Sequence, residues 1–439
     1  MNADIRWLWS RLNSNYWFYP ALFALIGVSL AVTLVWLDRN GFAESLNSIG
    51  WLQPARPQSA SNMLQVIAGS TIGVASTVFS ITIAAVAYAS GNYGPRLLTN
   101  FMEDKGNQLS LATFIGTFVY AITVLRTVRA EDEVAFAAFN AGSTSQPGFV
   151  PQLSLLVAYL LMALSVAVLV YFLNHVPSSI RINSVLQGIG GRLLRDIRDN
   201  YPEDGSGREL EPGPDGEAIT IDRTGYVQII DFEELAQLSE KNDCNIALEV
   251  RTGDFVHPGM PVARVCGGDA DEHVRQAAAE AFAIGATRTP TQDPQFLIDE
   301  LVEIGLRALS PGINDPFTAI TTLHWLGAAT SELGRRDLRR RIEDHPENSQ
   351  VYPLPDTFQH FLERGFGAMR SAAATNPQAA LVMFDTLRAA ATLIQAKQRI
   401  ALLRDQGQKL REQARLALSG PDLAAVEERY LTFLKAFRA

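Results

Sequence analysis

The chain has 439 residues, 47% of them hydrophobic and 19% charged, with a formal net charge of −9. Its length suits two or three domains, and its acidic balance, with no Lys/Arg block to outweigh it, excludes nucleic acid as a partner. The two cysteines, Cys244 and Cys266, make no CxxC pair, so neither a zinc site nor a disulfide framework is indicated.

Crossing the hydrocarbon core takes about 20 mostly apolar residues, and four segments meet that demand: 17–37, 63–89, 109–128 and 153–175. The first opens on an aromatic belt (Tyr16, Trp17, Phe18, Tyr19) and closes near Trp36, where amphipathic rings favour the interface. It follows Arg6 and Arg11, lacks a small-residue cleavage site and ends in Asp38-Arg39, so it reads as a retained anchor. No span holds Asp, Glu or Lys in its interior, and Arg126 sits at an edge where its stem can snorkel.

Basic residues near the spans set the orientation. With the N-terminus inside, the inner flanks carry Arg6, Arg11, Arg96, Lys105, Arg181, Arg192, Arg195 and Arg198, against Arg39, Arg56, Arg126 and Arg129 outside. A four-helix transmembrane domain over 1–176 with both termini cytoplasmic is expected. The loop after the third span is acidic at Glu131, Asp132 and Glu133, which an ordinary solvated loop explains more cheaply than a cation-gathering rim.

The second span is small and polar. Gly69, Gly73, Ser76, Ser80 and Ala84 recur at helical spacing and share one face, with Ser70 and Thr77 close by. Small residues let helix backbones approach in lipid, so packing is the economical reading. The sharper one is a hydrated path in an oligomer, where hydroxyls replace part of an ion's water shell. Gly69, Ser70, Gly73, Ser76, Thr77 and Ser80 are the candidate pore-lining or packing residues. A proton relay or charge-coupled pump is disfavoured, because no ionisable group lies at mid-membrane.

Beyond the spans, residues 177–216 combine a basic amphipathic helix with an acidic Gly/Pro-rich linker. Ile182, Val185, Ile189, Leu193 and Ile197 repeat at helical spacing beside Arg181, Arg192, Arg195 and Arg198, a pattern expected to lie along an anionic leaflet. Residues 217–268 turn strand-like and rich in β-branched side chains. Within them, Gly253-Asp254-Phe255-Val256-His257-Pro258-Gly259 resembles a phrase of the lipoyl- and biotinyl-type hammerhead barrels, whose glycines permit tight turns. Val265-Cys266-Gly267-Gly268 stands where an acceptor Lys would follow, so a small barrel-like β module without a lipoyl or biotinyl group is expected, and no cofactor. Residues 269–439 read as a helical cytoplasmic domain, with Asp293-Pro294, Asn314-Asp315-Pro316, Pro355 and Pro377 opening helices.

The most distinctive phrase is Arg307-Ala308-Leu309-Ser310-Pro311-Gly312-Ile313-Asn314-Asp315-Pro316. Physically it is a rigid helix–loop–helix corner, with Gly312 free to take a positive φ and Asn314 or Asp315 placed to cap the next helix. Its polar groups, Arg307, Ser310, Asn314 and Asp315, are the candidate binding or gating residues, with Asp299, Glu303 and His324 as further candidates. Together with the four spans and the Gly225-Tyr226-Val227-Gln228 and Gly253-Asp254 phrases, it resembles the membrane proteins grouped as domain-of-unknown-function family 2254. That resemblance covers essentially the whole chain and implies a multi-pass protein of the bacterial inner membrane, with no activity to transfer.

No phosphate-cradling loop, His-Glu-x-x-His or nucleophile turn occurs, and the six histidines are scattered without metal-ligand spacing. The fold expected is four transmembrane helices plus a cytoplasmic α+β region. The function expected is a homo-oligomeric channel or transport-like protein for ions or small solutes, with the lipid bilayer as its obligatory partner. The rivals are a non-conducting signalling or scaffold protein and a membrane-bound enzyme with its site at the Ser310–Asp315 corner.

Overall fold

The computed structural model describes residues 15–40, 56–94, 104–129, 149–203, 213–268, 271–290, 292–338 and 350–437. The chain divides into two compact units, Met1–Arg181 and Ile182–Ala439. The acidic loop at Glu131–Glu133 and Arg96 lie outside the described residues.

In the first unit, four helices are long and apolar enough to cross a membrane: α1 (Phe18–Arg39), α2 (Pro57–Tyr93), α3 (Lys105–Leu125) and α4 (Gln152–Ser179). Pro57 opens α2 at a position whose N–H would lack a helical partner anyway, and Gly94 closes it at φ 124°. The helix α3 is the hub: 56% of its apolar stretch is buried, against 22% for each of the others. It packs on α1, α2 and α4.

Lipid offers helices no hydrophobic reason to associate, so close approach decides which faces meet. The decisive contact is between Gly27 on α1 and Gly116 on α3. A Cβ on Gly27 would stand 2.7 Å from the Gly116 carbonyl oxygen, and one on Gly116 would stand 3.1 Å from that of Phe23. Hydroxyl contacts add to this: Tyr120 donates to the Ser154 carbonyl at 2.8 Å and Ser165 to Thr117 Oγ1 at 3.2 Å. Such bonds in a membrane are each worth about 0.6 kcal/mol, so backbone packing carries more of the association.

The second unit opens with α5 (Ile182–Asn200) and continues through β1 (Glu217–Thr220), β2 (Gly225–Ile230), α6 (Phe232–Asn242), β3 (Asn245–Leu248), β4 (Phe255–Val256) and β5 (Pro261–Cys266). After α7 (Glu272–Glu280) and β6 (Phe282–Gly285) come α8 (Phe296–Ala308), α9 (Pro316–Gly334) and β7 (Val351–Tyr352). The last part is helical: α10 (Phe358–Leu362), a π turn over Glu363–Gly367, α11 (Ala368–Ala374), α12 (Pro377–Leu393), α13 (Lys397–Ala417) and α14 (Gly420–Lys435).

Two features differ from expectation. The strands form two sheets, ordered β1-β5-β3-β7 and β4-β2-β6, around a shared core that includes Val227, Ile246, Val262 and Phe282. Those sheets stand where a barrel-like module over 217–268 was expected, and β6 and β7 come from the stretch read as wholly helical. Both glycines of the Gly253-Asp254…Gly259 phrase take positive φ, 92° and 84°, as that phrase required. The second difference is α5. Leu186, Ile189, Leu193 and Ile197 are buried in the second unit, where α5 packs on α8 and α9. Its apolar stripe is therefore occupied by protein and not free to lie on a leaflet. Amphipathicity reveals that a face is buried, but not in what.

Candidate functional site

The second span places its small residues on the outside. Gly69, Ser70, Gly73, Ser76, Thr77, Ser80 and Ala84 are all exposed, whereas Leu64, Ile67, Ala68, Thr71, Ala75 and Val78 face the neighbouring helices. A Cβ on Gly69 or Gly73 would meet nothing within 4 Å. Among the described residues, then, nothing packs on this face. It extends in both directions along α2 through exposed Gln58, Asn62 and Gln65 before it and Ala87 and Gly91 after it. Two large apolar side chains, Val66 and Ile83, are exposed on the same face, with Ile72 and Phe79 exposed at its edge. The hydroxyls turn inward: Ser70 donates to the Ile67 carbonyl, Thr77 to Gly73 and Ser80 to Ser76, at 2.9–3.1 Å. Each keeps its oxygen lone pairs available while its proton is satisfied by its own helix.

Two polar clasps, not anticipated from the sequence, tie the ends of the four-helix unit. Asp38, at the end of α1, accepts from the backbone N–H groups of Leu153 (2.9 Å) and Ser154 (3.0 Å) and from the Ser154 hydroxyl (2.7 Å). Its carboxylate thus caps the N-terminus of α4, where free N–H groups and the helix dipole favour negative charge. At the opposite end, Asp104 accepts from Asn107 N to cap α3 and sits 2.9 Å from His175 Nε2 on α4. The Tyr171 hydroxyl lies 3.3 Å from His175 Nδ1. Gly106 leaves the room this pair needs, since a Cβ there would be 2.6 Å from His175 Nε2.

In the second unit, the Ser310–Pro316 corner joins α8 to α9. The positive φ falls on Asn314 (49°) and not on Gly312, whose Cβ position is open space, which corrects the expectation for Gly312. Asp315 is the cap: its Oδ1 accepts from Thr318 N at 3.2 Å and its Oδ2 from the Thr318 hydroxyl at 2.5 Å. Ser310 donates its hydroxyl to the Arg307 carbonyl at 2.6 Å, and its own carbonyl accepts from Asn314 N at 2.9 Å. Arg307, Ser310, Asn314 and Asp315 therefore lie along one helix–loop–helix turn. Asp299 is engaged by Arg288 and by Arg364 (2.7 Å), and a metal-holding cluster is absent among the described residues.

Buried ion pairs concentrate elsewhere in this unit. Burial would raise the Glu332 carboxyl, but Arg336, Arg198 and Arg335 together hold it down at about 2. Burial likewise opposes ionisation of Asp299, and Arg364 and Arg288 outweigh it, leaving its pKa below the ordinary value. Asp356 accepts from the Tyr201 hydroxyl and Gln295 Nε2 and pairs with Arg251 at 3.0 Å, next to a cavity of about 30 Å³. That is room for about one or two waters, not for a metabolite.

Four apolar helices joined to an α+β unit define a multi-pass membrane protein. The match to the family model described as "Predicted membrane protein (DUF2254)" runs over residues 13–389, and the chain belongs to that family. Among its relatives are uncharacterized proteins of Mycobacterium bovis and of Mycobacterium tuberculosis, each 30% identical over 347 residues. The aligned region covers 76% of this chain and 64% of each relative, so the chain spans somewhat less than two thirds of their length. No solved structure matches the chain.

Proposed function

We propose that the protein is a homo-oligomer of the bacterial inner membrane in which the small-residue face of α2 associates around an axis and lines a path for ions or small solutes. Both termini are cytoplasmic in this reading, and the second unit regulates the path. The observation that carries it is the stripe through Gly69, Gly73, Ser76 and Ser80, exposed and packed on none of the described residues. Lipid chains gain little by contacting such a face, whereas a second helix gains close backbone contact. The oxygens of Ser76, Thr77 and Ser80 can also replace water around a cation.

Proteoliposomes containing the purified protein test this reading by ion and small-solute flux. The expected result is a leak above that of empty vesicles, suppressed in Ser80→Leu. Tight vesicles under every ionic condition would remove the conduction part. A second reading, a non-conducting scaffold assembled through the same face, is favoured by the hydroxyl protons of Ser70, Thr77 and Ser80 being satisfied by their own helix. It requires no water in the interface and predicts an oligomer without flux.

A further inference from the structure

Three helices of the second unit, α5, α9 and α12, share one polarity. Gly190 of α5 lies against Trp325 of α9, so closely that a Cβ would overlap the indole. Further along, Arg198 pairs with Glu332 at 3.0 Å, Arg336 donates to the Tyr201 carbonyl, and Asp337 N donates to the Pro202 carbonyl at 2.9 Å. The offset between the two strings of residues stays constant to within one position, so α5 and α9 run parallel and in register. Continued back along both helices, it sets Phe317 level with Ile182.

Other contacts extend this pattern. Gly327 meets Thr386 and Gly334 meets Ile394, so α12 runs parallel to α9 and its start at Pro377 falls at the same end. Arg399 donates to the carbonyls of Leu333, Gly334 and Arg336, and Gln413 to Ser371 at 3.2 Å, so α13 runs the opposite way and returns Leu416 to that end. The turns α8–α9, α11–α12 and α13–α14 therefore lie at the same end as the start of α5. Only Ile180 and Arg181 separate that start from the last residue of α4, a helix long and apolar enough to cross a membrane.

The exposed apolar side chains at this end are large. Phe317 is 71% exposed and Leu416 90%, with Ile313 at 40% and Leu306 at 38% on either side of the corner. In water such tips would be costly, and on a bilayer they would not. We propose that this end of the second unit is a lipid-docking surface, with the Ser310–Pro316 corner and the α13–α14 turn inserting Ile313, Phe317 and Leu416 into the interfacial region of the membrane that α4 enters. Apolar side chains buried at the headgroup–acyl boundary hold a peripheral surface in place. The corner then acts as a mechanical footing: its capped, tightly hydrogen-bonded turn holds Phe317 outward at the first turn of α9.

The test uses the full chain in nanodiscs, with Cys244 and Cys266 replaced and one nitroxide introduced at Phe317→Cys, Leu416→Cys or Leu393→Cys. All three positions are exposed, so a label displaces no core atom, and Leu393 (53% exposed) lies at the opposite end of the same helices. Collision with oxygen, which concentrates in lipid, and with a water-soluble nickel chelate reports where each label sits. Labels at 317 and 416 are expected to favour oxygen over nickel several-fold, and the label at 393 the reverse. A label at 317 as open to nickel as the one at 393 would overturn the proposal. So would shielding from both reagents, which would mean a protein covers this end. Neither result depends on whether the α2 face conducts.

Discussion

Asp38 and Asn314 show how a single side chain fixes a junction. The Asp38 carboxylate holds two backbone N–H groups and one hydroxyl at the start of α4. Asp38→Ala leaves those buried donors without their acceptor, a loss of about 1–3 kcal/mol, to be read as a lower thermal midpoint in detergent micelles. Asp38→Asn, which keeps one acceptor oxygen, should recover part of it. At the corner, Asn314 occupies a left-handed conformation that β-branched residues resist. Asn314→Gly should be nearly neutral and Asn314→Val destabilising by about 1–2 kcal/mol, while Asp315→Ala removes an N-cap worth about 1 kcal/mol. The Asn-Asp-Pro phrase made the cap legible in the sequence. The role of Asp38 was not, because its partner amides lie more than a hundred positions away and nothing local marks an aspartate as another helix's cap.

Among the elements, the glycines that matter for packing are not the ones whose pattern stands out. Gly27 and Gly116 are solitary in their apolar runs, yet their backbones touch, whereas the conspicuous Gly69 and Gly73 face outward. Gly27→Leu should therefore disrupt the α1–α3 contact and lower yield and thermal midpoint of the folded monomeric unit, and Gly69→Leu should leave both unchanged. Periodicity finds the face but cannot name its occupant. The stripe of α5 taught the same lesson, having gone to α8 and α9. In α9, Glu332 ties the end of that contact to Arg198, Arg335 and Arg336. Its folded pKa of about 2 lies below the ordinary carboxylate value, so its contribution is fully present above about pH 4.5 and is lost as pH falls towards 2. Unfolding midpoints measured across that window should fall more steeply for the native protein than for Glu332→Gln. Equal slopes would show that Glu332 is not held down.

For the whole molecule, the four spans and the change to an α+β region were legible because bilayer thickness and charge exclusion act on composition alone. Strand partners were less so: β7 joins β3 in parallel from a distance that no local pattern encodes. The organisation that results is a four-helix unit with an exposed small-residue face on α2 and a second unit whose α8–α9, α11–α12 and α13–α14 turns lie at the end where α5 begins. In native membranes, oxidative cross-linking of a chain carrying a single cysteine in place of Ser76 addresses the central claim most directly. The comparison is Leu160→Cys on α4, 61% exposed but among large apolar neighbours. Efficient dimer adducts from the Ser76 position and none from Leu160 are predicted. Equal yields at both positions, or no adduct at Ser76 or its helical neighbours Gly73 and Ser80, would contradict an association face on α2.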